Sequence, residues 1–163
     1  MRKSLVVLLV CAFVLLAFSA SANAAAKARP IHGYMVGTIA YSGDSGAPPP
    51  APPWRWATGD AVGDVSHMGE TVLWSQNPVA MDFLGDGTLT AANGDTVTYT
   101  YYGGGDLPAP GEWYYVWSVF DVTGGTGRFA GATGQMEATA HTQFLPAAAV
   151  WPAIWEFSGT IKY

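Results

Sequence analysis

Three histidines, four strand-borne carboxylates and one glycine-rich turn are the groups in this sequence that could do chemistry. His32, His67 and His141 are far apart and form neither an H-x-H nor an H-x-x-x-H pair, so only the fold could assemble a metal site from them. Asp82, Asp86 and Asp95 lack the spacing of a calcium loop. No metal site is read from these residues. Glu112, Asp121, Glu137 and Glu156 fall on or beside strand-like runs. A carboxyl turned inward among aromatics would have its pKa raised and could act as an acid or base. Glu156 alternates with Ser158, Thr160 and Lys162, which reads as a solvent face. No G-x-S-x-G elbow is present, so the catalytic residues, if the chain is an enzyme, are unknown. Residues 125–130 (GTGRFA) formally fit the dinucleotide fingerprint G-x-G-x-x-A. That use needs a helix to present its amides to pyrophosphate, and Gly131 and Gly134 break any such helix. No cofactor is expected.

The aromatic residues are more suggestive. Seven tryptophans and eight tyrosines accompany a low charge content. Rings lining the mouth of a barrel can hold apolar or aromatic molecules, or they can simply fill a core. The candidate ligand-binding set is the odd-numbered face of the strongest strands: Tyr99, Tyr101, Tyr115, Trp117, Trp155 and Phe157.

The elements that must position these rings follow an N-terminal leader. Arg2 and Lys3 precede an apolar stretch over 5–18, and Ala22-Asn23-Ala24 supplies small residues at a cleavage site. Residues 1–24 are therefore read as a cleaved signal peptide, which implies export to a periplasm or secretion, with no stable membrane anchor afterwards. Cys11 lies inside the apolar stretch, so the remaining domain, 25–163, has no cysteine and no disulfide. In that domain Lys27, Arg29, Arg55, Arg128 and Lys162 face twelve acidic residues. Five scattered cations make no phosphate-tracking patch, so nucleic acid is excluded as a partner.

Strand patterns predict an all-β domain. Alternating or β-branched runs occur at 33–41, 64–74, 79–84, 87–92, 95–102, 112–123, 135–144 and 154–163, and no run carries a helical stripe. Residues 25–30 read as a loose leader, and 145–152 as an apolar loop. The stretch 43–58 holds Pro48, Pro49, Pro50, Pro52 and Pro53 before Trp54-Arg55-Trp56, which predicts an extended Pro-rich loop. Gly69 marks a bend within the second run. Around Asn93-Gly94, face parity selects a three-residue loop. Only that loop pairs Leu89 with Val97 and keeps both apolar sets on one side, with Gly94 left-handed. The run 112–123 is apolar on both faces, so one face lines the interior and the other is covered by a loop or another subunit. About eight strands with Gly/Pro turns favour a closed antiparallel β-barrel, which leaves no open edge.

The stretch 122–134 (VTGGTGRFAGATG) feeds one heavy strand into the next. Its glycines imply positive φ or close backbone approach, with Phe129 as the plug of a corner. It resembles the Gly-Gly-Thr-Gly-(Arg/Lys)-Phe-x-x-Ala-x-Gly corner of the dirigent proteins and allene oxide cyclase-like barrels, through Gly124, Gly125, Thr126, Gly127, Arg128, Phe129, Ala132 and Gly134. The order Ser66-His67-Met68-Gly69, Asp86-Gly87-Thr88, Ala92-Asn93-Gly94-Asp95 and Phe157-Ser158-Gly159-Thr160-Ile161 is also similar to small exported bacterial proteins of that class. The resemblance runs from about residue 33 to the C-terminus. It implies an eight-stranded barrel with an apolar cavity, often trimeric in plant members that guide phenolic radical coupling or cyclise a fatty-acid epoxide. Catalytic residues do not carry over, because the matching positions form a structural corner.

Three functions stay open. The favoured one is binding of a small hydrophobic or aromatic molecule. The others are a cyclase, isomerase or dirigent-type guide with His67 or a buried carboxylate moving the proton, and a structural protein that assembles into a homo-oligomer.

Overall fold

Eight antiparallel strands follow one another around a closed barrel, each paired with its neighbour in sequence and the last with the first. They are β1 (Ala28–Asp44), β2 (Trp54–Val65), β3 (Gly69–Pro78), β4 (Phe83–Ala91), β5 (Thr96–Gly104), β6 (Trp113–Gly125), β7 (Thr133–Gln143) and β8 (Val150–Lys162). This computed structural model describes residues 27–44, 54–78, 83–106 and 108–163. The expected signal segment 1–24, with Cys11, and the prolines of 48–53 lie outside the described residues.

Alternation decides which side chains fill the barrel. On β3, Thr71, Leu73, Ser75 and Asn77 are buried, while Val72 and Trp74 face out. On β8, Trp151, Ala153, Trp155, Phe157 and Ile161 are buried, and Glu156, Ser158, Thr160 and Lys162 are exposed. Each large apolar side chain fully withdrawn from water contributes about 1.5–3 kcal/mol. The interior is thus a core with two ends.

The Asn93-Gly94 hairpin has the expected three-residue loop. Leu89 pairs with Val97, the Ala91 amide donates to the Asp95 carbonyl at 2.9 Å, and Gly94 takes φ of 86°. Several boundaries differ from expectation. Residues 28–30 belong to β1 because β8 is long enough to pair with them, Ala28 opposite Lys162. Trp54, Arg55 and Trp56 start a strand rather than ending a loop, and β2 as a whole was missed. The run 64–74 is two strands joined by a tight turn at 66–68, with Gly69 opening β3. Val150, Trp151 and Pro152 belong to β8, not to a loop.

The largest correction concerns face parity. Along β1 to β5 the inward residues are odd-numbered, as in Met35, Ala61, Leu73, Leu89 and Tyr99. On β6 a bulge intervenes: Thr98 sits opposite Gly124 but Tyr99 opposite Val122, so Thr123 is passed over. From there the inward set is even, with Val122, Phe120 and Val116 buried. It stays even on β7 and returns to odd on β8, where Ala138 faces Phe157.

The corner after β6 seals one end, here called the base. Its residues 127–129 make a single 3-10 turn. Thr126 locks the turn to β5: its amide donates to the Thr96 carbonyl at 2.9 Å, and its hydroxyl accepts from the Thr96 amide at 3.0 Å. Phe129 is fully buried and meets the Tyr163 ring edge-on at 4.8 Å. Arg128 is anchored on two sides. Its Nε lies 3.8 Å from Asp95 Oδ2, and its guanidinium donates to the His67 carbonyl. His67 itself has φ of 68° in the β2–β3 turn. The opposite end, the mouth, is where β1 leads to β2, β3 to β4, β5 to β6 and β7 to β8.

Candidate functional site

Polar side chains inside the barrel collect toward the mouth. Tyr101 on β5 donates its hydroxyl to Asn77 Oδ1 at 2.9 Å, and Asn77 Nδ2 donates to the Pro78 carbonyl at 2.9 Å. Ser75, two residues before Asn77 on the same inward row, lies beside them. Ser118 on β6 faces the same space. Together with Tyr41, Phe120 and Trp155 these residues line a recess of about 60 Å³. Below it the rings fill the barrel: Tyr99 stacks on Phe120 with centroids 4.5 Å apart and planes 5° from parallel. Glycine makes this possible, because a Cβ on Gly85 would lie 2.5 Å from the Tyr101 ring and one on Gly87 2.4 Å from the Tyr99 hydroxyl.

Both phenols hold their protons tightly. Burial is the main cause for Tyr101, whose pKa is pushed up to about 12; the Ser75 hydroxyl opposes the shift and the Asp86 charge adds to it. Tyr99 is raised further, again by burial first and then by Tyr101 and Asp86. A phenol whose folded pKa exceeds its unfolded value of 10.0 contributes stability that is complete below pH 10 and falls as pH climbs through the folded pKa. Denaturant midpoints should therefore hold steady up to about pH 10 and fall between 10 and about 12. Tyr101→Phe should flatten that decline, and an unchanged slope in the variant would refute the assignment.

The structure divides the six candidate ring residues. Tyr99, Tyr101, Trp155 and Phe157 point inward. Tyr115 and Trp117 do not: they are 61% and 53% exposed on the outside of β6, because the bulge at Thr123 puts the even residues inside. Of the inward four, Tyr101 and Trp155 line the recess, whereas Tyr99 and Phe157 are core. On the outward face of β6, Trp113 is exposed beside Tyr115 and Trp117, with no described loop of the same chain burying them.

The remaining candidates are dispersed. His67 is at the base, its Nε2 2.9 Å from the Pro30 carbonyl, away from the recess. The His32 amide donates to the Ser66 hydroxyl at 2.9 Å. His141 meets Tyr115 edge-on at 4.5 Å on the outside and lies 4.0 Å from Glu156. Asp121 accepts from Gln135 at 2.9 Å, Glu112 lies 3.3 Å from the Ala109 amide, and Glu137 is exposed. Among the described residues no three metal-ligating side chains converge. Ser75, Asn77 and Ser118 were not anticipated from sequence. The signal for Ser75 and Asn77 was the inward phase of β3, Thr71-Leu73, continued past Trp74; Ser118 faces inward only because β6 passes over Thr123.

Comparison with family models, with curated proteins and with solved structures gave no match.

Proposed function

We propose that the chain is an exported barrel that binds a small hydrophobic or aromatic molecule at the barrel mouth. The observation that carries this reading is the recess, where described apolar rings and hydrogen-bonding groups meet at the mouth end of the barrel. A recess of about 60 Å³ is far below the several hundred Å³ usual for a site that swallows its ligand. The bound molecule would insert one end and leave the rest outside the recess. The export reading comes from 1–24, and the allene oxide cyclase-like or dirigent-like assignment from the corner at 122–134 together with the eight-stranded barrel. A cyclase or dirigent-type guide rests on that resemblance alone.

A second reading has its own observation. Trp113, Tyr115 and Trp117 present three large rings on consecutive outward positions of β6, which suits burial against another copy of the chain. Mid-strand charges such as Asp60 and Glu137 on the same exterior make a lipid-facing barrel a poor fit.

Native mass spectrometry of the chain freed of residues 1–24 tests both. A retained or added small apolar molecule on a folded barrel supports the binding reading. A ligand-free species unmoved by added lipids or phenolics would remove it. A monomer at all concentrations would remove the assembly reading.

A further inference from the structure

Asn93 and Gly94 are both exposed at the tip of the β4–β5 hairpin, at the base of the barrel. Asparagine is among the thermolabile residues, and a following glycine leaves its side-chain carbon open to the next backbone nitrogen. Gly94 has no Cβ, and nothing stands within 4 Å of the place where one would be. Hydrogen bonds hold the two reacting groups apart. The Gly94 amide donates to the Ala91 carbonyl at 2.8 Å. Asn93 Oδ1 accepts from the Asp95 amide at 3.1 Å, and Asn93 Nδ2 donates to Asp95 Oδ2 at 3.0 Å.

Asp95 ties this turn to the glycine corner. The same Oδ2 lies 3.3 Å from the Arg128 amide nitrogen and 3.8 Å from Arg128 Nε. A Cβ on Gly127 would collide with Asp95 Oδ1, so the corner is moulded closely to the carboxylate. The corner fixes Asp95, and Asp95 fixes Asn93.

We propose that Asn93 is a site of spontaneous deamidation and that the corner, acting through Asp95, sets its rate in the folded chain. The Gly94 nitrogen gives its proton to solvent hydroxide and bonds to Asn93 Cγ. The Cγ–Nδ2 bond breaks, and Nδ2 leaves as ammonia with a proton from water, which regenerates the hydroxide. A succinimide ring remains. Water adds to either ring carbonyl carbon, and the bond from that carbon to the ring nitrogen breaks. Opening at Cγ gives aspartate, and opening at the backbone carbon gives isoaspartate. The isoaspartate adds a methylene to the loop whose length sets the register of β4 on β5.

The test incubates the folded chain at mildly alkaline pH and follows Asn93 by peptide mapping with mass spectrometry, aspartate and isoaspartate being separated by chromatography. Asn77 is the internal control, because Pro78 has no N–H to give up. Conversion at Asn93 is expected, slower by about tenfold or more than in the chain unfolded in guanidinium chloride. Asp95→Ala should speed conversion in the folded chain by about fivefold. Amide exchange at Gly94 should rise with it, while exchange at buried Leu89 stays unchanged. If that variant fails to fold, Arg128→Gln takes its place, with a rise of about threefold expected.

A folded chain that keeps Asn93 intact would overturn the site. Equal rates in the folded and unfolded chain would overturn the restraint by the turn. A folded variant that converts at the parent rate, or whose Leu89 exchange rises in step, would overturn the role of Asp95 and the corner.

Discussion

Phe129→Ala is expected to lower the unfolding free energy by about 3–5 kcal/mol. Phe129 is fully buried at the base, where its ring meets Tyr163 edge-on and its backbone closes the 3-10 turn through Thr126. The hole left by truncation cannot collapse readily. The amide of Phe129 is fixed to the Thr126 carbonyl at 3.0 Å and its carbonyl to the Ala132 amide at 2.9 Å, so the backbone around the cavity is pinned. Whole domains are stable by only about 5–15 kcal/mol, so the variant should be marginal. Urea unfolding followed by tryptophan emission gives the value, with an unchanged denaturant slope showing that the native barrel is otherwise intact. A loss below about 1 kcal/mol would mean that the corner is an appendage rather than part of the core.

Gly87→Val is expected to be the second severe change, costing about 3 kcal/mol or more. A Cβ there would lie 2.4 Å from the Tyr99 hydroxyl and 2.5 Å from the Trp74 carbonyl oxygen. The first contact could be relieved only by moving a ring stacked on Phe120. The second is with backbone held in the β3–β4 ladder, where Trp74 pairs with Thr88. Both routes disturb the layer directly under the mouth recess. The neighbouring outward change Thr88→Val should stay within about 0.5 kcal/mol. Similar stabilities for the two variants, by the same urea titration, would show that the glycine is not what admits Tyr99.

The all-β character and the hairpin at Asn93-Gly94 were legible because they follow from alternation and turn chemistry, which are local. The count of about eight agreed although β2 was missed, because two runs, 79–84 and 87–92, were expected where Phe83–Ala91 forms one strand. Leu89 and Val97 had to share a side, and one loop length achieved it. The corner was legible as well, since Phe129 amid five glycines has few other uses. What escaped were features decided by pairing across the barrel. Trp54 to Trp56 extend β2 because β1 and β3 flank them, Ser42 opposite Trp56 and Trp56 opposite Pro78; the prolines beside them in sequence suggested a loop. The phase of β6 depends on Thr123 being skipped, an irregularity with no residue-type signature, and it turned Tyr115 and Trp117 outward. For the site, Tyr101 and Trp155 stood out by size, whereas Ser75 and Asn77 matter only because a strand continues past Trp74.

The pairing of β1 with β8 has a consequence for how the molecule is made. Every other strand contact can form as soon as its hairpin has left the ribosome. The seam must wait for both ends of the domain, so until then the growing sheet exposes two unpaired edges to other chains. The seam carries the longest ladder in the barrel, from Ala28 opposite Lys162 to Ala40 opposite Val150. The ordering entropy of joining distant segments is thereby offset at the one place where it is largest. Folding of this chain is then a race between that final closure and aggregation.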